Sequence, residues 1–332
     1  MSLKAFGRKP SGERKKRILA SPNYRNGTFR NLERTAVMRE DASFAQVFFE
    51  FIRSREATRP AEPVPSERTD LSALGDEGIQ IVWFGHSSYL LRAGGLNVLV
   101  DPVFSGHASP VACTTKAFPG ADVYSAGDMP EIDLLIITHD HYDHLDMETV
   151  IALIPKVKHV YTALGVGEHL EYWGYAKERI TELDWFEQAK MEGENSITAL
   201  PARHFSGRSL KRGQTLWAAY ALQIGGFRIF VGGDSGYGPH FRQIGEQYGP
   251  FDLALLECGQ YGKNWPQIHT QPEETAQAAR DLNAKTFIPV HWGKFALAIH
   301  SWHEPVDRIE AITAETRQSH IIPMIGRKMM IG

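Results

Sequence analysis

The sequence is poor in cysteine and has no long hydrophobic run. Its 332 residues include only two cysteines, Cys113 and Cys258, which are too few for a disulfide framework. No apolar stretch reaches the roughly eighteen residues that a membrane-spanning helix needs, and none follows the basic start as a secretory signal would require. We therefore expect a cytoplasmic or membrane-peripheral protein, although natural residues, an anchor among them, could precede Met1.

A strong charge of either sign is also missing. The formal net charge is −3, with 42% hydrophobic and 23% charged residues, a globular composition that offers no strong field for nucleic acid. One local bias occurs at the start, where a run of basic residues faces only Glu13: Lys4, Arg8, Lys9, Arg14, Lys15, Lys16 and Arg17. The run predicts a solvated tail, with contact to an anionic membrane surface as the alternative.

The pattern of the chain changes near residue 78. Residues 1–77 read as an N-terminal extension that is largely irregular, with a helix expected at 41–54 and a proline-rich stretch at 58–70. From residue 79 onward, short apolar strands alternate with turns and with helices, which we expect at 146–154 and 272–282 among others. Strands mixed with covering helices predict a layered α/β catalytic domain over residues 78–332.

Four of the predicted strands end in a side chain that can bind a metal. "IDLLIITH" ends at His139, "SITALPARH" at His204, "FRIFVGGD" at Asp234 and "KTFIPVH" at His291. Strand ends that converge at one edge of a sheet are where α/β folds build their sites. The sequence therefore predicts that these four side chains lie together.

The nine residues "THDHYDHLD" at 138–146 concentrate further metal-capable side chains. His139 and His141 are two positions apart, so in an extended segment they point the same way and can bind one cation. Asp143 and His144 follow after the chain has turned and can bind a second cation. Imidazole and carboxylate together suit zinc, with manganese or iron as alternatives.

The later strand ends can supply the remaining ligands. His204 could complete the first set and His291 the second, while Asp234 could bridge both ions through its two oxygens. Two cations about 3.5–4 Å apart lower the pKa of a water that they share. The product would be a metal-bridging hydroxide that acts as a nucleophile at neutral pH.

"THDHYDHLD" resembles the HxHxDH motif of the metallo-β-lactamase superfamily. Together with "WFGHSSYLL", "DPVFSGHASP", "GGDSGYGPHF" and "HTQPEETAQAARDL", it resembles the N-acyl-phosphatidylethanolamine-hydrolysing phospholipases D and their bacterial relatives, over about residues 78–315. The resemblance implies a four-layer αββα sandwich with a dinuclear site at one edge. It also implies one metal bound by His139, His141 and His204, the other by Asp143, His144 and His291, and Asp234 as the bridge.

The resemblance adds residues around the metals. His269 in "QIHTQPEE" matches a histidine that lines the site in that family, and we expect it to orient substrate or assist proton transfer beside the catalytic Asp143. His86 in "GHSS" is expected next to the ligands or at the rim of the site. Tyr261 or Trp265 could contact substrate, with plain packing as the alternative. The stretch "ECGQY" departs from the family pattern, so substrate choice is not carried over.

The leading functional hypothesis is a dinuclear metal-dependent hydrolase, a phosphodiesterase acting on a small-molecule or phospholipid-like substrate. The first alternative is hydrolysis of a lactone or carboxylic ester at the same metals, because the same nucleophile can attack a carbonyl. The second is a non-catalytic metal-binding module. A wide apolar groove beside the metals would favour a lipid, whereas a narrow polar pocket would favour a small cyclic ester.

Overall fold

Two β-sheets form the centre of the structure, a computed structural model that describes residues 3–54, 57–209 and 211–332. The strands are β1 (Tyr24–Arg25), β2 (Thr28–Phe29), β3 (Ile79–Trp83), β4 (Tyr89–Ala93), β5 (Leu96–Val100), β6 (Ile132–Ile137), β7 (Val157–Ala163), β8 (Ile180–Leu183), β9 (Gln188–Lys190), β10 (Ser196–Leu200), β11 (Ala219–Ile224), β12 (Phe227–Val231), β13 (Phe251–Glu257), β14 (Ala284–Val290) and β15 (Lys328–Ile331). The helices are α1 (Gly12–Ala20), α2 (Phe44–Arg53), α3 (Met147–Leu153), α4 (Gly167–Tyr172), α5 (His240–Tyr248), α6 (Pro272–Asp281) and α7 (Glu304–Thr316).

The two large sheets have related strand arrangements. The first sheet has the order β15-β3-β4-β5-β6-β7-β8 and is parallel from β5 to β8. The second has the order β14-β13-β12-β11-β10-β9 and is parallel from β12 to β14. The predicted ligands follow the carboxyl ends of β6, β10, β12 and β14. Strand β10 runs in the same direction as β12, because each is antiparallel to β11, so the site forms at one edge of the two sheets.

The main hydrophobic core contains side chains of both sheets. Each contains a hairpin with a Gly-Gly turn, β4–β5 and β11–β12, and these turns meet: a Cβ on Gly94 would lie 2.5 Å from the Cα of Gly225. Only glycine allows this approach together with the positive φ of 54° and 59° at the two positions. Helix α4 contacts β8 of the first sheet, while α6 contacts β13 and β14 of the second sheet and also packs against α5 and α7. The predicted αββα sandwich is confirmed.

The predicted helices begin where their sequence signals place them. Helix α6 starts at Pro272, and the side chains of Gln271 and Glu274 form a reciprocal capping box around its first turn. Asp146 caps α3 by accepting from the main-chain N–H of Glu148. Both helices match the expected ranges to within a residue or two.

The N-terminal extension is more ordered than predicted. The expected helix at 41–54 is present as α2, but residues 12–20 form a helix where no helix was predicted. The reading of the basic run as a solvated tail is wrong for Arg14, whose guanidinium contacts Glu168 and Glu182, each at 2.6 Å, as well as Glu171. These carboxylates belong to α4 and β8, and that of Glu168 is buried, so opposite charge fixes α1 against this edge of the first sheet.

Further contacts of the extension reach the metal-binding loop. Arg208 is fully buried, donates to the carbonyl oxygen of Ala5 and also donates to those of Asp140 and Leu145. The division of the chain at residue 78 stays a prediction. Among the described residues, no helix is long and apolar enough to cross a membrane.

Candidate metal centre

Three histidines form the first set of predicted ligands. His139 and His141 follow strand β6, and His204 follows β10. His141 Nδ1 lies 2.9 Å from His139 Nε2 and 3.2 Å from His204 Nε2. Nitrogens that share one zinc ion with bonds of about 2.0–2.1 Å lie about 3.3 Å apart. The three imidazoles are therefore arranged as ligands of a single cation would be.

Asp143, His144 and His291 form the second set. The ligand atoms of these three residues and of His86 all lie within 4.8 Å of one another. His86 Nε2 is 2.9 Å from Asp143 Oδ2, and the His86 side chain is fully buried. His86 therefore lies among the ligands of the second set and not at the rim of the site. It could orient Asp143 through this contact or bind the cation itself.

Asp234 lies between the two sets. Its Oδ2 is 3.8 Å from His139 Nε2 and 3.7 Å from His204 Nε2, while its Oδ1 is 3.1 Å from His144 Nε2 and 3.2 Å from His291 Nδ1. One carboxylate oxygen therefore faces each set, as a bridging ligand requires.

The electrostatics of the cluster favour cations. Burial opposes the ionisation of Asp234, but the facing His144 and His204 lower the pKa of this carboxyl to about 2. Burial also opposes protonation of His144, yet Asp234 and Asp143 raise its pKa well above the usual histidine value. Two buried carboxylates thus attract positive charge to this point, which a divalent cation would supply directly.

Several atoms of the cluster are buried without a hydrogen bond. Among the described residues these include His86 Nδ1, His144 Nε2, Asp234 Oδ1 and His291 Nε2. Buried polar atoms are nearly always paired, because an unpaired one costs about 1–3 kcal/mol. Metal coordination gives such atoms a partner, so the donor set fits the predicted metals.

A buried carboxylate that the sequence reading missed supports the first-sheet side of the site. Asp101 follows β5 and accepts hydrogen bonds from the main-chain N–H and the hydroxyl of Thr138, at 2.8 and 2.6 Å. Its Oδ2 also lies 2.8 Å from His144 Nδ1, which leaves Nε2 of that ring to face Asp234. Asp101 ends an apolar strand, "LNVLVD", so the strand-end signal that picked out His139 would have found it.

A residue of the N-terminal extension supports the second-sheet side. Asn31 Nδ2 donates to the carbonyl oxygen of His204 at 2.8 Å, and Asn31 Oδ1 accepts from the His204 N–H at 3.1 Å and from Trp217 Nε1 at 3.2 Å. The His204 ring is fixed separately, since its Nδ1 lies 2.9 Å from the carbonyl oxygen of Ile268. No local pattern in the sequence marks Asn31 for this role.

His269 lies beside the cluster and pairs with Glu257, the last residue of β13. His269 Nδ1 is 2.7 Å from Glu257 Oε2. Burial raises the pKa of the Glu257 carboxyl. Burial opposes protonation of His269, but the charge and the hydrogen bond of Glu257 raise the pKa of the imidazole. Glu257 also accepts from the N–H of Ser235 at 2.6 Å, so it connects His269 to the segment that carries Asp234.

A cavity of about 260 Å³ opens over the cluster. Predicted ligands form its floor, and its walls are mostly apolar: Val37, Met38, Phe205, Trp265, Ile268 and Leu297. Trp265 therefore lies where substrate contact was predicted. The Tyr261 hydroxyl instead donates to Glu304 of α7 at 2.7 Å, which favours the alternative reading of that residue as packing.

The architecture and the sequence both match known proteins. The profile of the beta-lactamase superfamily domain matches residues 96–292. The chain belongs to the beta-lactamase superfamily. It therefore has the metallo-β-lactamase fold of metal-dependent hydrolases, with His and Asp sets that are able to bind metal.

Relatives of this beta-lactamase superfamily protein include an uncharacterized Mycobacterium tuberculosis protein, 40% identical over 93% of this chain and 84% of the relative. The N-acyl-phosphatidylethanolamine-hydrolyzing phospholipase D 1 of Caenorhabditis elegans is 30% identical over 71% of this chain and 70% of the relative. Among solved structures, the metallo hydrolase Igni18 of Ignicoccus hospitalis matches with a TM-score of 0.59 at 19% identity, over 76% of this chain and 98% of that one. The predicted resemblance is confirmed.

Proposed function

We propose that the protein is a phosphodiesterase that hydrolyses phospholipid-like substrates with two divalent cations, for which zinc is the best match. The observation that carries the proposal is the apolar wall that adjoins the cluster of predicted ligands in one cavity. Such a wall suits an acyl chain beside the scissile bond, and it does not suit a small polar ring such as a lactone. The similarity to the Caenorhabditis elegans phospholipase supports the same substrate class.

The ligand sets described above would hold the two cations, with Asp234 shared between them. Bound there, the cations would supply Lewis-acid activation of a water molecule and of a phosphoryl oxygen. Asp143 is held in place by His86, and His144 by Asp101. These buried contacts fix the carboxylate and the imidazole before substrate arrives, so binding requires little rearrangement of the second set.

His269 is the residue best placed to move a proton. Its Nδ1 pairs with Glu257, which keeps the Nδ1 proton in place and orients the ring. The other ring nitrogen, Nε2, is then the atom available to a substrate in the cavity that His269 lines. We assign it the transfer of a proton to the oxygen of the leaving alcohol, a role that the general-acid step of ester hydrolysis requires.

Contact with an anionic membrane through the basic N-terminal run remains part of the proposal. Fewer charges of the run are available for this contact than the sequence suggested, because Arg8 and Arg14 pair with Glu168, Lys16 with Glu13 and Arg17 with Glu187. An anionic membrane surface would therefore have to compete with these ion pairs.

The proposal is tested by a side-by-side substrate screen. Metal-free protein is reloaded with Zn²⁺ or Mn²⁺ and assayed with bis(p-nitrophenyl) phosphate, with N-acyl-phosphatidylethanolamine in mixed micelles, and with a long-chain lactone. We expect metal-dependent hydrolysis of both phosphodiesters and a higher kcat/KM for the lipid. Turnover of the lactone alone, or equal activity of the metal-free protein, would contradict the proposal.

A further inference from the structure

Arg212 lies at the boundary between two cavities. It lines the cavity over the predicted metal ligands and also a neighbouring groove of about 490 Å³. His204, Phe205 and Val37 line both spaces as well, so the groove and the site are continuous. A substrate held over the metals could therefore extend past Arg212 into the groove.

The Arg212 guanidinium is placed by an aromatic ring. Its central carbon lies over the Phe205 ring, 4.8 Å from the ring centre. Phe205 in turn contacts the imidazoles of His141 and His204, with ring centres 4.6 and 4.8 Å apart. One aromatic ring thus separates the arginine from two predicted metal ligands.

The N–H donors of Arg212 remain available to a ligand. In the part of the chain that the structure describes, no carboxylate forms an ion pair with this side chain. Stacking on a ring uses the face of the guanidinium and leaves its donors for a carboxylate or phosphate, which the planar fork can bind through two hydrogen bonds.

The groove carries an excess of positive charge. Arg30 and Arg34 line it together with Arg212, whereas Glu33 is the acidic residue among the described residues of its lining. Arg34 also lies 3.9 Å from Glu40, in a pair exposed to solvent. The apolar wall of the adjoining cavity carries no comparable charge. The combined space therefore has an apolar side and a cationic side, and Arg212 lies between the cationic side and the metals.

We propose that Arg212 is a specificity-determining residue that binds a second anionic group of the substrate, on the groove side of the scissile phosphodiester. The inference rests on the proposed phosphodiesterase activity and narrows its substrate class. The preferred substrate carries an apolar group, a scissile phosphodiester and a further carboxylate or phosphate.

The test uses a matched pair of soluble substrates. One is a p-nitrophenyl phosphodiester whose alkyl arm ends in a carboxylate, and the other is the same diester ending in a carboxamide. We expect wild-type protein to favour the carboxylate substrate by about tenfold in kcat/KM, mainly through KM, which corresponds to about 1.4 kcal/mol for the charge-assisted hydrogen bond. In Arg212→Gln the ratio of the two kcat/KM values should fall to near one, and Arg212→Lys should give an intermediate ratio.

Lys211→Gln is the matched control. It removes one positive charge at the neighbouring position, which is exposed and lines neither cavity. We expect the substrate ratio of this variant to equal that of wild type. Equal losses in Lys211→Gln and Arg212→Gln would replace the specific site with general charge attraction and overturn the inference, as would a wild-type ratio near one.

A binding measurement separates this inference from the proposed activity. Inorganic phosphate is titrated calorimetrically into metal-free wild-type protein and into Arg212→Gln. Weaker binding by the variant supports the anion site even if neither diester is hydrolysed, an outcome that would remove only the proposed function. Equal binding by the two proteins would overturn the site itself.

Discussion

The two sheets contribute to the predicted metal centre in different ways. The first sheet supplies His139, His141, Asp143 and His144 from one loop after β6, whereas the second supplies one residue after each of three strands. The spacing of the first group is fixed by six consecutive residues. The second group is brought together by the pairing of β10 with β11, β11 with β12 and β12 through β13 with β14.

The two groups also differ in what holds them. On the first-sheet side, the buried carboxylate of Asp101 fixes Thr138 and His144. On the second-sheet side, Asn31 holds the main chain of His204 through two hydrogen bonds, and it comes from a segment more than 170 residues away in sequence. The supporting contacts thus span 37 and 43 positions of sequence on the first-sheet side and 173 positions on the second-sheet side.

Replacing the residue between the two halves should have the largest effect. Asp234→Asn removes the one carboxylate that faces both sets, so we expect loss of bound metal and a fall in turnover of at least about a thousandfold. Metal content by mass spectrometry and hydrolysis of bis(p-nitrophenyl) phosphate measure the two quantities. Asp252→Asn, at the start of neighbouring β13, is the control and should retain both. Normal metal content in Asp234→Asn would show that the halves bind metal independently.

A smaller loss of metal affinity is expected when Asp101, which supports the ligands on the first-sheet side, is replaced. Asp101→Asn keeps the shape of the side chain but removes the charge that faces His144, and changes at such supporting positions lower metal affinity about 10- to 100-fold. Chelator competition measures the affinity, with Asp133→Asn on β6 as the control. If the metal affinity is unchanged, the ligands on the first-sheet side do not depend on the Asp101 carboxylate.

The smallest effect on metal affinity is expected when Asn31, on the second-sheet side, is replaced. Asn31→Ala removes three hydrogen bonds worth about 1 kcal/mol each, so the free energy of unfolding should fall by about 2–3 kcal/mol while metal affinity changes less than in Asp101→Asn. Denaturant unfolding with and without Zn²⁺ gives both numbers. Asn264→Ala is the control. The main-chain carbonyl oxygen of Asn264 accepts a hydrogen bond from the Arg39 N–H, and the substitution leaves that oxygen in place. A greater loss of affinity in Asn31→Ala would reverse the comparison.

This contrast also explains which parts of the fold and the site could be predicted from the sequence. The loop at 138–146 and the four strand ends are marked by short patterns, and the structure brings all of them together. The helix α1 was missed because "GERKKRILA" is dominated by charge, and its partners, Glu168 and Glu182, lie more than 150 residues further on. Asn31 has no local signal, since its role depends on the distant His204. Arg212 stacks on the nearby Phe205, but the groove that it lines includes residues of the distant N-terminal extension.

The final strand has a consequence for how the protein is made. Strand β15 pairs with β3, so Lys328 lies opposite Val82 and Ile331 opposite Ile79. During synthesis, the outer edge of β3 stays unpaired while nearly 250 further residues are added, until β15 leaves the ribosome. Unpaired strand edges of this kind attract other chains. The nascent protein therefore passes through a long interval in which its first sheet is incomplete and the edge of β3 is open to pairing with other chains.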